Sequence, residues 1–295
     1  MVQYGIDTIR SARGHSVRPA IEHREPSRPG RACAVVLALL LGSAAGAAAE
    51  DFRTGGTGAA LGTMRLLADE FTANNPDIRI TTVPNLGSSG GIRAVVAGAI
   101  GLAVASRPMN ASERKLGAVE IEYARTPFVF AVSAKSGVSS ITSGELADIY
   151  AGRMVAWADG SPVRIVLRPA SDHDTQIVKS MSPGIRRGLL VAEARPGVRF
   201  AVHDQDAADD LERIAGAIGP SSLALIVSEK RDLKALTLDG REPTVVNAAS
   251  GAYPYHKQLF FVTGARRSAA VERFIAFVQS PAGRKILAQN GQWIP

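Results

Sequence analysis

The segment Pro84–Gly98, PNLGSSGGIRAVVAG, gathers residue types that hold an anion without reacting with it. Five small residues, Gly87, Ser88, Ser89, Gly90 and Gly91, separate an apolar strand pattern from a helical one. Glycines let backbone approach a compact ligand, serines add hydroxyls, and the first turn of a helix leaves N–H groups unpaired at the positive end of its dipole. A flexible N-cap uses the same residues, so one such turn does not decide. The pattern recurs, however: Gly55-Gly56-Thr57-Gly58 bridges a first strand and helix, and Ser106-Arg107-Pro108 ends a third strand. A counterpart lies further on, where Arg168 ends VRIVLRP and Ser171, Asp172, His173, Asp174 and Thr175 open the next helix. The planar guanidinium fork suits a tetrahedral oxyanion; it equally suits an ion pair with Asp172 or Asp174.

Other chemistries are poorly served. Ser, His and Asp crowd together in SDHD, but a nucleophile, its base and an orienting group must converge from different elements. Outside the first 49 residues the histidines are His173, His203 and His256, far apart in sequence; only His173-Asp174 and His203-Asp204 offer a start towards a metal site, and none is expected. Cys33 is the single cysteine and lies in the N-terminal segment, which removes disulfides, thiolate catalysis and cysteine-zinc sites from consideration.

That segment is Arg-rich and polar, then apolar through ACAVVLALLLGSAAGAAA, closing on Ala47-Ala48-Ala49. The apolar core is about 15 residues, short of the roughly 20 a membrane span needs, and small residues follow it, as in a secretory signal peptide. Its charged lead-in is unusually long and holds no Arg-Arg pair, which favours a start codon set too far upstream over a twin-arginine signal. The whole chain has a net charge of +7. Residues 1–49 carry six arginines against Asp7, Glu22 and Glu25, so of 34 bases and 27 acids the remainder keeps 28 and 24, a net +4. That excess is spread along the chain without basic runs or interleaved aromatics, so nucleic acid is not expected as a partner.

The elements that must position these residues alternate. Leu61, Met64, Leu67 and Phe71 recur at helical spacing after DFRTGGTG, Ile78, Ile80 and Thr82 alternate as a strand, and Ile92, Val95, Val96 and Ala99 mark a second helix before GLAVASRPM. Strands alternating with helices predict a parallel sheet. After TPFVFAVSAKSG the scheme repeats: a helix at SGELADIYAG with Trp157 packed beside it, the strand VRIVLRP, a helix from SDHDT, then VRFAVHD, a helix around Leu211, and AIGPSSLALIVSE. YPYHKQLFFVTGA is a further strand, and Val271, Phe274 and Val278 mark a helix interrupted at Ser280-Pro281. The length fits two compact lobes after the leader.

Taken together, GGTG, PNLGSSGGIRAVVAGAI, VASRPM, ITSGELADIYAGRMVAWADG, LRPASDHDT, GAIGPSSLALI and YPYHKQLFFVT resemble, in order and spacing across residues 52–290, the periplasmic phosphate-binding proteins of bacterial ABC importers. The resemblance implies an α/β, two-lobed periplasmic-binding-protein fold, each lobe a mainly parallel sheet flanked by helices. Two hinge strands, FVFAVSA and QLFFVTG, would join the lobes, with residues 50–133 and 255–295 in lobe I and 134–254 in lobe II. It implies capture of inorganic phosphate or a related oxyanion, without catalysis or cofactor, by a monomer that delivers it to an inner-membrane ABC permease. A sensor or storage binder of the same fold stays open, as does a different ligand. Thr57, Gly58, Ser88, Ser89, Gly90, Ser106, Arg168, Ser171, Asp172, Asp174 and Thr175 are the implied ligand-binding residues. Two departures stand out: Ser106 falls where the family often places an aspartate that accepts the proton of phosphate, and Asp172-His173-Asp174 replaces the usual small residues before Thr175. The resulting expectation is that Asp172 or Asp174 supplies the acceptor from the opposite lobe while the other caps the helix or orients Arg168.

Overall fold

The alternating patterns become, in a computed structural model that describes residues 50–295, β1 (Glu50–Gly56), α1 (Gly58–Ala73), β2 (Ile78–Val83), α2 (Gly87–Val96) and β3 (Leu102–Ala105). The leader expected over residues 1–49 lies outside the described residues. β1 lies between β2 and β3 and runs parallel to both, as strand-helix-strand crossovers require. The α1 stripe Leu61, Met64, Leu67 and Phe71 is buried, the last three packed with Phe52 and Phe274 in the first lobe's core. Every residue of β3 is buried, which matches a parallel strand covered on both faces.

One boundary differs from the expected one. GSSGG does not precede α2; it forms the helix's first turns, and the bend is made earlier, with Asn85 at φ 59° and Gly87 at φ 62°. Gly91 has its own reason to be small: a Cβ there would lie 2.9 Å from Gly56 Cα, so glycine lets α2 sit directly on β1.

After α3 (Ala111–Arg114) comes β4 (Val119–Ser133), a strand of 15 residues whose partners change midway. Its first part pairs antiparallel with β11 (His256–Thr263), which also pairs with β3. From Phe128 onward it pairs with β8 (Ala217–Ser222) and β9 (Leu233–Ala235). The second lobe contains β5 (Ser140–Ile141), α4 (Ser143–Ala151), β6 (Arg164–Leu167), α5 (His173–Met181), α6 (Pro183–Glu193), β7 (Arg199–Phe200), α7 (Asp204–Arg213), β8, α8 (Leu223–Ser228), β9, β10 (Thr237–Leu238) and α9 (Val245–Ala249). α10 (Ala269–Gln279) and α11 (Pro281–Gln289) follow β11 and return to the first lobe. The order β2-β1-β3-β11-β4-β8-β6-β7 makes one continuous mixed sheet, parallel within each lobe's outer strands and antiparallel at the centre.

The two segments expected to cross between lobes fall on β4 and β11, neighbouring strands at the centre of the sheet. FVFAVSA belongs to the second half of β4, and QLFFVTG lies within the first lobe's sheet. β4 is tied to the segment leading into β11 where Phe128 N donates to Tyr255 O (3.1 Å) and Tyr253 Oη donates to Phe128 O (2.8 Å). The chain end seals the junction, with Trp293 bridging to Arg125. Trp157 packs in the second core with Leu146 and Tyr150, as expected, and its indole N–H donates to Gly216 O.

Candidate functional site

Strand ends β1, β3 and β6 and the N-termini of α1, α2, α5 and α7 meet at a cavity of about 330 Å³ between the lobes. This is where an open α/β sheet takes ligands, beyond the carboxyl ends of its strands. From one wall Thr57, Gly58, Ser88, Ser89, Gly90 and Ser106 line it; from the other come Arg168, Ser171, Asp172 and Asp174. Of the sequence-derived set only Thr175 is outside, buried and donating its hydroxyl to Arg168 O (3.0 Å), so it holds the strand end that carries the arginine.

On the first wall the hydroxyls are linked. Thr57 Oγ1 donates to Ser106 Oγ (3.1 Å), Ser106 N donates to Ser88 Oγ (3.0 Å), and the Ser88 and Ser106 hydroxyls lie 3.3 Å apart. Arg107 donates to Ser89 Oγ (2.7 Å) and forks onto both oxygens of Glu113 at 2.7 Å. GSSGG also spells the letters of a nucleophile elbow around Ser89. Here Ser89 lies inside α2, and the group it meets is a guanidinium, which cannot act as a base.

Arg168 is 4 % exposed. It donates to Ala201 O and to Asp172 Oδ2, both at 3.0 Å, and Asp204 Oδ1 lies 3.8 Å away. Its Nε is buried without a hydrogen-bond partner, an unspent donor at a cavity wall. Asp172 both orients Arg168 and caps the helix, the two tasks expected of one of this pair: its other oxygen accepts from Asp174 N (2.9 Å) at the start of α5. Asp174 instead faces Lys257, whose Nζ is 2.5 Å from Oδ1 and 3.6 Å from Asp204 Oδ1. Lys257 is 1 % exposed and its ammonium lies 5.8 Å from the Phe128 ring centroid.

Asp204, Lys257 and Gln205 were not identified from sequence. A lone lysine inside the apolar run HKQLFFVT was a legible signal for Lys257, because a buried ammonium requires carboxylate partners. Asp204 and Gln205 had no such signal; their approach depends on tertiary geometry. Gly58 makes room for them, since a Cβ there would lie 2.3 Å from Gln205 Oε1 and 2.6 Å from Asp204 Cβ. Gln205 Nε2 donates to Gly58 O (3.1 Å) and to Glu229 Oε1 (2.8 Å).

The charges interact strongly. Burial, the largest influence, lifts Asp174 to about 6 from its ordinary value; Lys257 opposes this and Asp172 and Asp204 reinforce it. Burial also pushes Asp204 upward, but Lys257, Arg168 and the amides of Gly58 and Ala59 outweigh it and hold that carboxyl below the usual range. Burial lowers His173 to about 4, with Lys257 adding to the effect, so it is neutral at pH 7. Among the described residues no cluster of three or more His, Cys, Asp or Glu could hold a metal ion, and no helix is long and apolar enough to cross a membrane.

Such a cleft, polar and lined by charges of both signs between two α/β lobes, suits a binder of small solutes. Residues 42–282 match the family model of the PBP superfamily domain, and the chain belongs to that family. It is 24 % identical over 240 residues to the phosphate-binding protein PstS of Bacillus subtilis, covering 77 % of this chain and 75 % of the relative. With Protein SphX of Synechococcus elongatus it shares 28 % over 245 residues, 74 % of this chain and 70 % of that one. Similar folds include a phosphate ABC transporter substrate-binding protein from Clostridium perfringens solved with bound phosphate (TM-score 0.70, 20 % identity, 83 % of this chain and 100 % of that one). The molybdate-binding protein of Azotobacter vinelandii is also similar (TM-score 0.56, 18 % identity, 83 % and 99 %).

Proposed function

We propose that this protein is an extracytoplasmic solute-binding protein that captures inorganic phosphate between its lobes and delivers it to an ABC importer, without catalysing a reaction. The observation that carries the reading is Arg168: a buried guanidinium with an unpartnered Nε, on the same cavity as the linked hydroxyls of Thr57, Ser88 and Ser106. The matched relatives support phosphate as the ligand; a molybdate-binding neighbour of the same fold makes molybdate the competitor. The ligand contacts we assign are Thr57, Ser88, Ser89, Gly90, Ser106, Arg168 and Ser171, with Gly58 shaping the wall that admits Asp204.

The proposal takes residues 255–295 with the first lobe and moves the other boundary from residue 133 back to Thr126–Phe128 on β4, because Phe128, Phe130 and Val132 belong to the second core. Separate clusters around Phe274 and around Phe128 support it. A cleaved leader, a periplasmic location, a monomeric state and a membrane permease as partner belong to the same reading. Calorimetric titration with phosphate, sulfate and molybdate tests it: saturable phosphate binding that exceeds the other two is expected, and binding of molybdate alone would reassign the ligand.

A further inference from the structure

The charge on the second wall is unbalanced. Asp172, Asp174 and Asp204 face two cations, Arg168 and Lys257, in a cluster whose links run from 2.5 to 3.8 Å. Around Asp174 stand Asp172 and His173 on its own helix and cap, Arg168 at the end of β6, Asp204 at the start of α7 and Lys257 on β11. His173 is neutral; across the cavity Arg107 is already matched by Glu113, and Arg93, the remaining cation of the lining, is exposed to solvent on α2. With every carboxyl ionised the cluster carries one net negative charge before any ligand enters. An oxyanion set against Arg168 adds more of the same sign where little water screens it. Solvent offers one small species that can offset this, the proton, and the cluster has a place for it: Asp174 Oδ2 is buried with no hydrogen-bond partner.

We propose that Asp174, held between Lys257 and Asp204, is a specificity-determining residue that takes up one proton from solvent as the oxyanion binds, so that anion and proton enter the cleft together. The proposal rests on the oxyanion-binding reading. In balance, the anion and one proton leave solvent, no covalent bond to the anion changes, and the proton ends on Oδ2 while Oδ1 keeps its contact with Lys257. This arrangement differs from one in which the ligand's own proton is offered to a carboxylate, because the acceptor is protonated whatever the anion carries. The raised affinity of Asp174 for a proton before binding runs in the same direction.

The test is calorimetry with inorganic phosphate at pH 8, where phosphate is mainly the dianion, in two buffers of different ionisation enthalpy. The wild-type protein is expected to take up close to one proton per phosphate bound, with its affinity falling up to about tenfold per pH unit above neutrality; Asp174→Asn is expected to lose most of that uptake. Difference infrared spectroscopy on the wild type, which needs no variant, is expected to show a protonated-carboxyl band when phosphate is added. Phosphate binding without proton uptake, uptake of equal size in Asp174→Asn, or binding without the carboxyl band overturns the proposal and leaves the phosphate reading intact. No phosphate binding by the wild type overturns both.

Discussion

Arg168 and Ser88 stand on opposite walls and differ in what their loss removes. Taking away Arg168, which is held by both a carbonyl and a carboxylate, leaves Asp172 and Asp204 facing the ligand with less to oppose them. Arg168→Ala is expected to lower phosphate affinity by about 30-fold or more, because breaking a buried charge contact costs about 2–5 kcal/mol. Ser88→Ala removes one neutral hydroxyl from the Ser106 pair and is expected to cost about 10-fold. Titration calorimetry on both variants reads the difference; equal losses would argue against a charged contact at Arg168. Asp174 also makes a stability prediction. Its folded value near 6 lies above the ordinary 3.8, so the folded state binds the proton more tightly than the unfolded one. Its contribution is therefore fully present at low pH and fades as pH rises through about 6. Urea unfolding from pH 4 to 7 should show wild-type stability falling relative to Asp174→Asn across that interval.

Helices and strands set these residues in place, and here sequence was informative in uneven measure. The α1, α4 and α10 stripes were legible because one face is apolar and the ends are marked: Thr142 and Glu145 form a reciprocal cap on α4, and Gly152 closes it at φ 77°. α6 went unread because Pro183, Gly184 and Gly188 weaken the helical pattern. Gly188 has a packing reason, as a Cβ there would lie 2.6 Å from Ala147 O on α4. The Ser88 wall was legible; its bend was misplaced because Asn85, a non-glycine in left-handed conformation, does part of the turning. Asp204 was not legible, because its role depends on which helix start faces α1 across the cleft. Two substitutions separate support from binding. Thr142→Ala should lower stability by about 1 kcal/mol and leave phosphate affinity unchanged. Gly91→Ala should push α2 off β1, cost about 1–3 kcal/mol and weaken phosphate binding through displaced Ser88, measured by thermal unfolding and titration.

At the scale of the whole molecule, the fold class was readable from alternation, but the junction was not. Apolar runs announce a strand without saying where its neighbours change, so the point near Phe128 at which β4 exchanges β11 for β8 was not legible. The two cores share this strand, and Arg125 within it also pairs with Trp293 from the chain end. Losing either lobe strips ladder partners from the other. Urea unfolding followed by far-ultraviolet dichroism and by tryptophan fluorescence should therefore give coincident transitions; two separated midpoints would show that the lobes melt independently.

The position of β11 has a consequence for how the chain is completed. β11 is inserted between β3 and β4, although it follows every other described strand in the chain. Until residues 256–263 emerge, the first lobe consists of β1, β2 and β3 with an open edge where its central strand belongs, and β4 has only its second half matched. A nascent chain in that condition presents unpaired strand edges to its surroundings. Premature termination a few dozen residues short would yield a first lobe unable to finish, while nearly all residues of the cavity were already present.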